Sequence, residues 1–237
     1  MPKHGAKYLE SLAKIDREVE YGPAEALALV KETAFAKFDE TVDLHFRLNV
    51  DPRHADQQVR STVSLPAGTG KTVRIIVFAE GEAAQAAQEA GADYVGTDEY
   101  VKQIQDGWLD FDIAVAVPQS MGKIGRLGRV LGPRGLMPSP RAGTVVQPDD
   151  VADTINQLRQ GRVEFRVDRT ANLHVPIGKA SFTEEQLAQN FAAVMGAVTR
   201  ARPASVRGQY ILRLVLTTTM GPGLKLDIPA ATDFVVS

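Results

Sequence analysis

A glycine-rich, cationic segment from Met121 to Val145 contains the residue types and spacing best suited to ligand chemistry. It holds six glycines, three prolines, five cations and no acid. The five cations are Lys123, Arg126, Arg129, Arg134 and Arg141. Glycine lets a backbone approach a ligand closely, and Lys and Arg donate to phosphate oxygens. The segment therefore suits a polyphosphate, and the alternative that stays open is a solvated charged loop with structural glycines.

The same composition predicts the local structure of this cationic segment. Repeated glycine and proline disfavour regular helix and strand. We expect mainly loop, with or without a helical turn around Gly125–Val130. Interspersed aliphatic residues such as Ile124, Leu127 and Leu131 predict that the loop is packed against the protein.

The residues before the cationic segment indicate a parallel sheet. Apolar runs at 73–79 and 111–118 lack the polar alternation of a half-exposed strand, and two helical patterns and a short strand at 93–96 lie between them. Strands buried on both faces and separated by helices are typical of a Rossmann-like βαβαβ unit. The cationic segment follows its third strand, and ligands of such sheets gather at the carboxyl ends of strands.

Both ends of the chain have a different pattern, in which apolar and polar residues alternate. The alternation predicts strands at 42–50, 59–66 and 209–221, and two antiparallel strands joined by a turn at Arg169–Asn172. A helix capped by Thr183 is expected before the last strand. We therefore predict an α/β protein of two domains. Residues 1–67 together with 161–237 form a split α+β domain, and residues 68–160 form an inserted Rossmann-like domain.

Three glycines stand where the chain is expected to cross between these domains. They are Gly68, Gly70 and Gly161. Because a hinge uses a few residues that absorb large backbone changes, we predict that these glycines form a two-strand hinge.

Composition excludes several classes of site. The 237-residue chain has a net charge of −2 and no cysteine, which excludes disulfides and cysteine-bound zinc. The four histidines are scattered without metal-ligand spacing, so no metal is expected. No apolar run approaches the roughly 20 residues of a membrane span, and the first residues lack a signal-peptide pattern, so a cytoplasmic protein without membrane contact is expected.

No catalytic motif is present in the sequence. The stretch PAGTGKT ends like a phosphate-binding P-loop, but Leu65 occupies the position of the motif's first glycine. No GxGxxG, GxSxG or HExxH pattern occurs either. We expect a protein that is not an enzyme and has no cofactor. The alternative kept open is a nucleotide-dependent enzyme that uses the Rossmann-like domain.

The cationic segment, read as MGKIGRLGRVLGPRGLMPSPRAGTV, resembles bacterial ribosomal proteins of the L-one family, which form the mobile stalk of the large subunit. The stretches at 36–48 (AKFDETVDLHFRL) and 217–223 (TTTMGPG) agree with it, and the resemblance covers essentially the whole chain. It implies a split domain with a Rossmann-like insert. It also implies a place in the large ribosomal subunit, binding to large-subunit ribosomal RNA, help in releasing deacylated tRNA from the exit site, and repression of the chain's own messenger RNA.

The resemblance also implies which residues contact RNA. Those matching the family's ribosomal RNA surface are Lys37, Phe38, Glu40, Thr41, Arg166, Arg169, Thr219, Met220 and Gly221. The five cations of the cationic segment would contact tRNA or further RNA. Because Glu40 repels phosphate, we expect it to orient Lys37 or to accept from a hydroxyl. Residue type favours a core or scaffold position for Phe38 and Met220 over base stacking.

Overall fold

The computed structural model describes residues 5–235, which form a mixed helix and sheet protein. The helices are α1 (Ala6–Ala13), α2 (Pro23–Thr33), α3 (Glu82–Glu89), α4 (Asp98–Gln105), α5 (Met121–Ile124), α6 (Gly128–Leu131), α7 (Val151–Arg159), α8 (Glu184–Arg200) and α9 (Ile228–Thr232). The strands are β1 (Thr41–Leu48), β2 (Arg60–Ser64), β3 (Ile75–Phe78), β4 (Tyr94–Val95), β5 (Ile113–Ala116), β6 (Arg162–Arg166), β7 (Asn172–Lys179), β8 (Ile211–Thr218) and β9 (Leu224–Lys225). Within residues 5–235 no helix has the length and apolar character to cross a membrane.

The chain divides into two compact units. The first comprises the chain up to Gly70 and from Gly161 onward, and the second is Lys71–Gln160. Residues 68–70 thus belong to the first unit, whereas the sequence assigned them to the insert. The reason is the buried side chain of Asn190 in α8. Its Oδ1 accepts from Ala67 N at 3.0 Å and its Nδ2 donates to the Gly68 carbonyl at 2.9 Å.

The larger sheet of the first unit has the order β7-β1-β8-β9 and is antiparallel. Its central strand β1 alternates between buried and more exposed residues, as its sequence predicts. The buried face packs against α8, whose Leu187 and Phe191 are fully buried. A capping box between Thr183 and Gln186 begins α8, which confirms the predicted cap.

The expectation that the two strands around Arg169–Asn172 pair with each other is wrong. Strand β6 pairs with β2 in a separate two-stranded sheet, whereas β7 pairs with β1. The turn between them is still closed, because Asp168 N donates to the Asn172 carbonyl at 2.8 Å. Alternation identifies a strand but not its partner, and here each strand pairs with one from the first part of the chain.

The sheet of the second unit is parallel, with the order β4-β3-β5. All four residues of its central strand β3 are buried. Ile75 and Val77 pack with α3 and α7, while Ile76 and Phe78 pack with α4 and the cationic segment. The uninterrupted apolar strands of the sequence are therefore explained by helices on both faces.

The first part of the cationic segment is more helical than the sequence predicts. Short α and 3-10 turns follow one another from Pro118 to Leu131. Ile124, Leu127 and Leu131 recur at helical spacing and are fully buried against the sheet. Burial of this apolar stripe outweighs the low helix propensity of the glycines. The expectation of a packed segment is confirmed.

Candidate nucleic-acid interface

The buried carboxylate of Glu40 joins two segments that are far apart in the sequence. It is 1% exposed. Its Oε1 accepts from Phe35 N at 2.9 Å and from Ala36 N at 2.7 Å. Its Oε2 accepts from Met220 N at 2.9 Å. The turn before β1 and the turn after β8 are thus held together, and we call residues 35–41 with 218–221 the Glu40 cluster.

The environment of Glu40 keeps it ionised. Burial alone would raise its pKa, but hydrogen bonds from the Ala36, Met220 and Phe35 N–H groups and from the Thr218 hydroxyl lower it below the ordinary value. The expectation that Glu40 accepts from a hydroxyl is met by Thr218. The other expectation, that it orients Lys37, finds no support among the described residues, where no ion pair between Glu40 and Lys37 is formed and the carboxylate accepts from Phe35, Ala36 and Met220 N–H groups.

The hydroxyl of Thr219 extends the pairing of β1 and β8 by one step. Val42 and Thr218 are the last partners of that ladder. Beyond them, Thr41 N donates to Thr219 Oγ1 at 3.0 Å, and this hydroxyl lies 3.4 Å from the Thr41 carbonyl that can accept from it. The hydroxyl therefore fixes the position of Thr41, and only its remaining lone pair is available to a ligand.

Lys179 is a cation of this region that the sequence did not single out. It is the register partner of Thr41 across β1 and β7. Its Nζ donates to Thr41 Oγ1 at 2.9 Å and lies 3.5 Å from the Asp39 carbonyl. The sequence does not predict this contact, because alternation identifies a strand but does not show which residue of another strand is its partner.

Gly221 is required by packing against its neighbour Thr218. Its N–H donates to Thr218 Oγ1 at 3.1 Å. A Cβ at this position would lie 2.4 Å from that oxygen. Any larger residue would displace the turn after β8, so the glycine lets the backbone of the cluster close tightly.

Phe38 and Met220 are exposed, which contradicts the expectation that both are core or scaffold residues. Phe38 is 56% exposed and Met220 is 51% exposed. Both lie in turns of the Glu40 cluster, where backbone bonds to Glu40 fix the chain without help from these side chains. Two apolar side chains held at an exposed polar edge can make contact with a nucleobase.

Arg166 and Arg169 lie apart from the Glu40 cluster. Arg166 is exposed at the end of β6, opposite Arg60, and Arg169 is exposed in the turn that precedes β7. This turn adjoins the Asn172 end of β7, whereas Thr41 pairs with the other end of that strand. Eight residues of strand separate the two ends by roughly 25 Å. The nine residues implied by the resemblance are therefore not one contiguous patch.

In the second unit, Lys123 is paired with acids from other elements. Its Nζ lies 2.7 Å from Glu80 Oε1 and 3.0 Å from Asp98 Oδ2. Hydrogen bonds to Glu80 and then to Asp98 raise the pKa of Lys123. The cationic segment contains no acid, but acids from other elements lie beside it. Because these acids already pair with Lys123, it is the least suited of the five cations to bind phosphate.

The four arginines of the cationic segment remain open to solvent. Arg126, Arg129, Arg134 and Arg141 are all exposed, and among the described residues none forms an ion pair. Arg126 and Arg129 project from the short helical turns that Ile124 and Leu127 anchor. Unpaired guanidinium groups on an anchored segment are suited to phosphate oxygens.

A cavity of about 240 Å³ lies by the carboxyl ends of β3 and β5. Its lining includes Glu80, Glu82 and Lys123. Two carboxylates with one ion-paired lysine disfavour a nucleotide phosphate at the place where a Rossmann-like sheet would bind it. The residues after Gly70 lead into strand β3, whereas a P-loop leads into a helix.

Within the described part of the chain, no group of three or more His, Cys, Asp or Glu residues is arranged to hold a metal ion.

Comparison with known proteins identifies the family. The model of the Ribosomal protein L1p/L10e family matches residues 30–222. The chain is 59% identical over 234 residues to the large ribosomal subunit protein uL1 of Chloroflexus aggregans, covering 98% of this chain and 99% of that protein. It is 55% identical over 234 residues to uL1 of Thermomicrobium roseum, covering 98% and 97%. With uL1 of Lactobacillus acidophilus it shares 55% identity over 227 residues, covering 96% and 98%. These matches span both units and the Glu40 cluster, and the chain belongs to the Ribosomal protein L1p/L10e family, a family of ribosomal proteins and not of enzymes.

Proposed function

We propose that this protein is a structural constituent of the large ribosomal subunit and binds large-subunit ribosomal RNA. The observation that carries the proposal is the Glu40 cluster, in which one buried carboxylate holds two exposed turns together. These turns present Lys37, Phe38 and Met220 at the surface. A preorganised edge that offers a cation, apolar side chains and backbone groups matches the way RNA is recognised, through its shape, its bases and its 2′-hydroxyls.

The residues proposed to contact ribosomal RNA follow from this placement. Lys37, Phe38, Thr41, Thr219, Met220 and Gly221 contribute the contact surface, and Glu40 positions it from beneath. Arg166 and Arg169, at the far end of the strand ladder, would contact a more distant part of the same RNA. Charge supplies affinity there, since each phosphate neutralised by Lys or Arg releases counterions.

The second unit is proposed to act as a Rossmann-like insert that contacts exit-site tRNA or further RNA. Its exposed arginines Arg126, Arg129, Arg134 and Arg141 would make these contacts, with a lesser part for the ion-paired Lys123. This arrangement supports a role in the movement and release of deacylated tRNA.

We also propose that Gly68, Gly70 and Gly161 form a two-strand hinge between the domains. All three have positive φ, at 74°, 69° and 99°, a conformation that favours glycine. A Cβ on Gly70 would lie 2.8 Å from side-chain atoms of Lys179 and Phe182, so a larger residue would also be crowded there. Distances between spin labels placed in the two units test this, and a single narrow distance would contradict a hinge.

Two further roles rest on the family resemblance. The protein is proposed to repress translation of its own messenger RNA, through the same surface that binds ribosomal RNA, and to act in the cytoplasm. An RNA that mimics the ribosomal site would compete for the Glu40 cluster. Competition between the messenger leader and the ribosomal RNA fragment for this protein tests the shared surface, and simultaneous binding of both would contradict it.

The experiment that tests the main proposal is a filter-binding titration of the full chain against fragments of large-subunit ribosomal RNA at several salt concentrations. We expect one fragment to bind far more tightly than the others. Its affinity should fall as salt rises, because phosphate contacts release counterions. Equal binding of all fragments would leave only non-specific charge attraction and would contradict the proposal. No observation favours a nucleotide-dependent enzyme, since the cavity beside β3 and β5 is lined by carboxylates.

A further inference from the structure

Two histidines that are 129 residues apart face each other across strands β1 and β7. His45 and His174 are direct partners in the antiparallel register. Their Nδ1 atoms are 2.7 Å apart, and their rings meet edge to face with centroids 4.8 Å apart. The two Nδ1 atoms therefore face each other on the sheet's outer face.

Only one hydrogen can lie between two nitrogens at this distance, so one Nδ1 is unprotonated and its lone pair accepts the hydrogen bond. A metal ion bound by both Nδ1 atoms would replace this hydrogen bond and displace the shared hydrogen. The carboxylate of Asp168 lies 3.8 Å from His174 Nε2, on the other side of that ring. A carboxylate there favours a proton on Nε2 and leaves the lone pair of His174 at Nδ1. Hydrogen bonds from Asn172 N and Thr170 hold Asp168 in place.

The charged side chains near the pair are of both signs. The cations lining the same groove are Arg47 and Arg213, and the guanidinium of Arg47 donates to the Thr170 carbonyl at the turn. The carboxylate of Asp168, 3.8 Å from His174 Nε2, has the opposite charge.

We propose that His45 and His174 form a surface site for one divalent transition-metal ion of the zinc type. Zn–N bonds of about 2.0–2.1 Å place two cis ligand nitrogens about 3.0–3.4 Å apart. The observed 2.7 Å is close to this range, so the rings need to separate by less than about 1 Å. The groove above them, about 400 Å³ in volume, has room for the waters that complete the coordination. Asp168 lies on the side of His174 where a carboxylate supports the ligand histidine in many metal sites, and a shift of less than about 1 Å would bring it within hydrogen-bond distance of Nε2.

Sequence spacing does not indicate this site, because the two histidines are 129 residues apart. The register of β1 and β7 supplies the second ligand. Imidazole nitrogen selects zinc, copper and nickel over magnesium, which prefers oxygen ligands. The site is independent of the proposed RNA function, and its test uses no RNA.

The test is a calorimetric titration of the full chain with Zn²⁺, and separately with Mg²⁺. We expect saturable binding of one zinc ion per chain and no magnesium binding. His45→Gln and His174→Gln should each weaken zinc binding by more than about a hundredfold. Asp168→Asn should weaken it by about 10–100-fold, as expected for a residue that orients a ligand.

His54→Gln is the matched control. His54 is also exposed and also lies near a carboxylate, 3.7 Å from Asp51, but no second histidine is its strand partner. Zinc binding should be unchanged in this variant. Circular dichroism confirms that each variant is folded, and imidazole nitrogen NMR of the unsubstituted chain provides a second measurement. Zinc should shift the Nδ1 resonances of both His45 and His174. Absence of saturable binding, or shifts confined to other histidines, would overturn the proposal.

Discussion

The carboxylate of Glu40 accepts a hydrogen bond of 2.9 Å from the backbone N–H of Met220, across a separation of 180 residues. The same carboxylate accepts from Phe35 and Ala36. One buried side chain therefore sets the distance between two exposed turns. Glu40 can therefore lie beneath a proposed RNA surface without repelling phosphate strongly, because backbone N–H groups of the protein donate to its carboxylate.

Replacing Glu40 with glutamine should destabilise the protein. The glutamine side chain has an NH₂ group in place of one carboxylate oxygen, and this group faces a backbone N–H that needs an acceptor. A buried backbone donor is then left without an acceptor, which costs about 1–3 kcal/mol. Urea unfolding measures this change, and RNA affinity should fall with it as the two turns separate. Glu32→Gln, at an exposed position, is the control and should change the unfolding free energy by less than about 0.5 kcal/mol. Equal stabilities for both variants would show that Glu40 is not the link.

The stability of the unsubstituted protein should depend on pH through Glu40. Its folded pKa lies below the ordinary value of 4.5, so its contribution is complete above that value and is lost as pH falls through the folded pKa. Urea midpoints measured from neutral pH downward should therefore fall more steeply in the unsubstituted protein than in Glu40→Gln. Parallel pH profiles for the two proteins would contradict this assignment.

Replacing Thr219 with valine should weaken ribosomal RNA binding by about 1–3 kcal/mol, because the bonds that fix Thr41 and any bond to RNA are lost. The loss should change little with salt, since no charge is removed. Thr219→Ser keeps the hydroxyl and should bind nearly as tightly as the unsubstituted protein. Filter binding at two salt concentrations measures both effects. Undiminished binding by the valine variant would remove Thr219 from the interface.

Replacing Arg126 and Arg129 together with alanine should affect a different RNA. Each phosphate contact contributes about 0.7–0.9 to the slope of log affinity against log salt. The double variant should flatten this slope for tRNA and leave the main ribosomal RNA fragment nearly unaffected. Lys123→Ala is the control, and its effect should be smaller because Glu80 and Asp98 already pair with Lys123. If the double variant weakens ribosomal RNA binding more than Thr219→Val does, the principal surface lies in the second unit.

Replacing Phe38 or Met220 with alanine should lower RNA affinity but leave the free energy of unfolding nearly unchanged. Both side chains are more than half exposed, so the unfolding free energy should change by less than about 0.5 kcal/mol. Ribosomal RNA affinity should fall by about 1–3 kcal/mol for each base that loses its apolar partner. Leu9→Ala, which removes another half-exposed side chain from α1, should leave RNA binding unchanged. A loss of stability without a loss of affinity would indicate a scaffold role.

The first unit should fold and bind ribosomal RNA without the second. Leu65 N donates to the Gly161 carbonyl at 3.2 Å, and a Cβ on Gly161 would lie 2.6 Å from Gly68 Cα, so the two crossings are adjacent. A short glycine linker in place of residues 71–160 can therefore join them. The shortened protein should keep its affinity within about tenfold, or ~1.4 kcal/mol. A folded deletion protein with a larger loss would place part of the RNA surface in the second unit.

Hydrophobic periodicity was sufficient to predict most elements of the fold. The alternation of β1 and the continuous apolar run of β3 each indicate which faces of the strand are buried, because residues on one face recur at a fixed spacing in the sequence. The helical turns around Leu127 were under-predicted because glycine content argued against them. The apolar stripe that stabilises them acts only through the tertiary packing of Ile124 and Leu131 on the sheet.

The candidate site was less predictable than the fold. Its segments could be recognised, but their internal contacts depend on strand register, which places Lys179 beside Thr41 and His174 beside His45. Neither pair has a local sequence signature. Exposure of Phe38 was also missed, because residue type alone favours burial for phenylalanine.

The pairing of β1 has a consequence for how the chain folds during its own synthesis. Strand β1 lies between β7 and β8, whose residues are made more than a hundred positions later. The second unit is contiguous, so its sheet can form while the chain is still growing, whereas β1 has no partner until its neighbours have emerged. Contacts between distant segments form slowly because loop closure costs entropy. The Glu40 cluster, the proposed RNA surface, is therefore completed last, after nearly all of these residues have been synthesised.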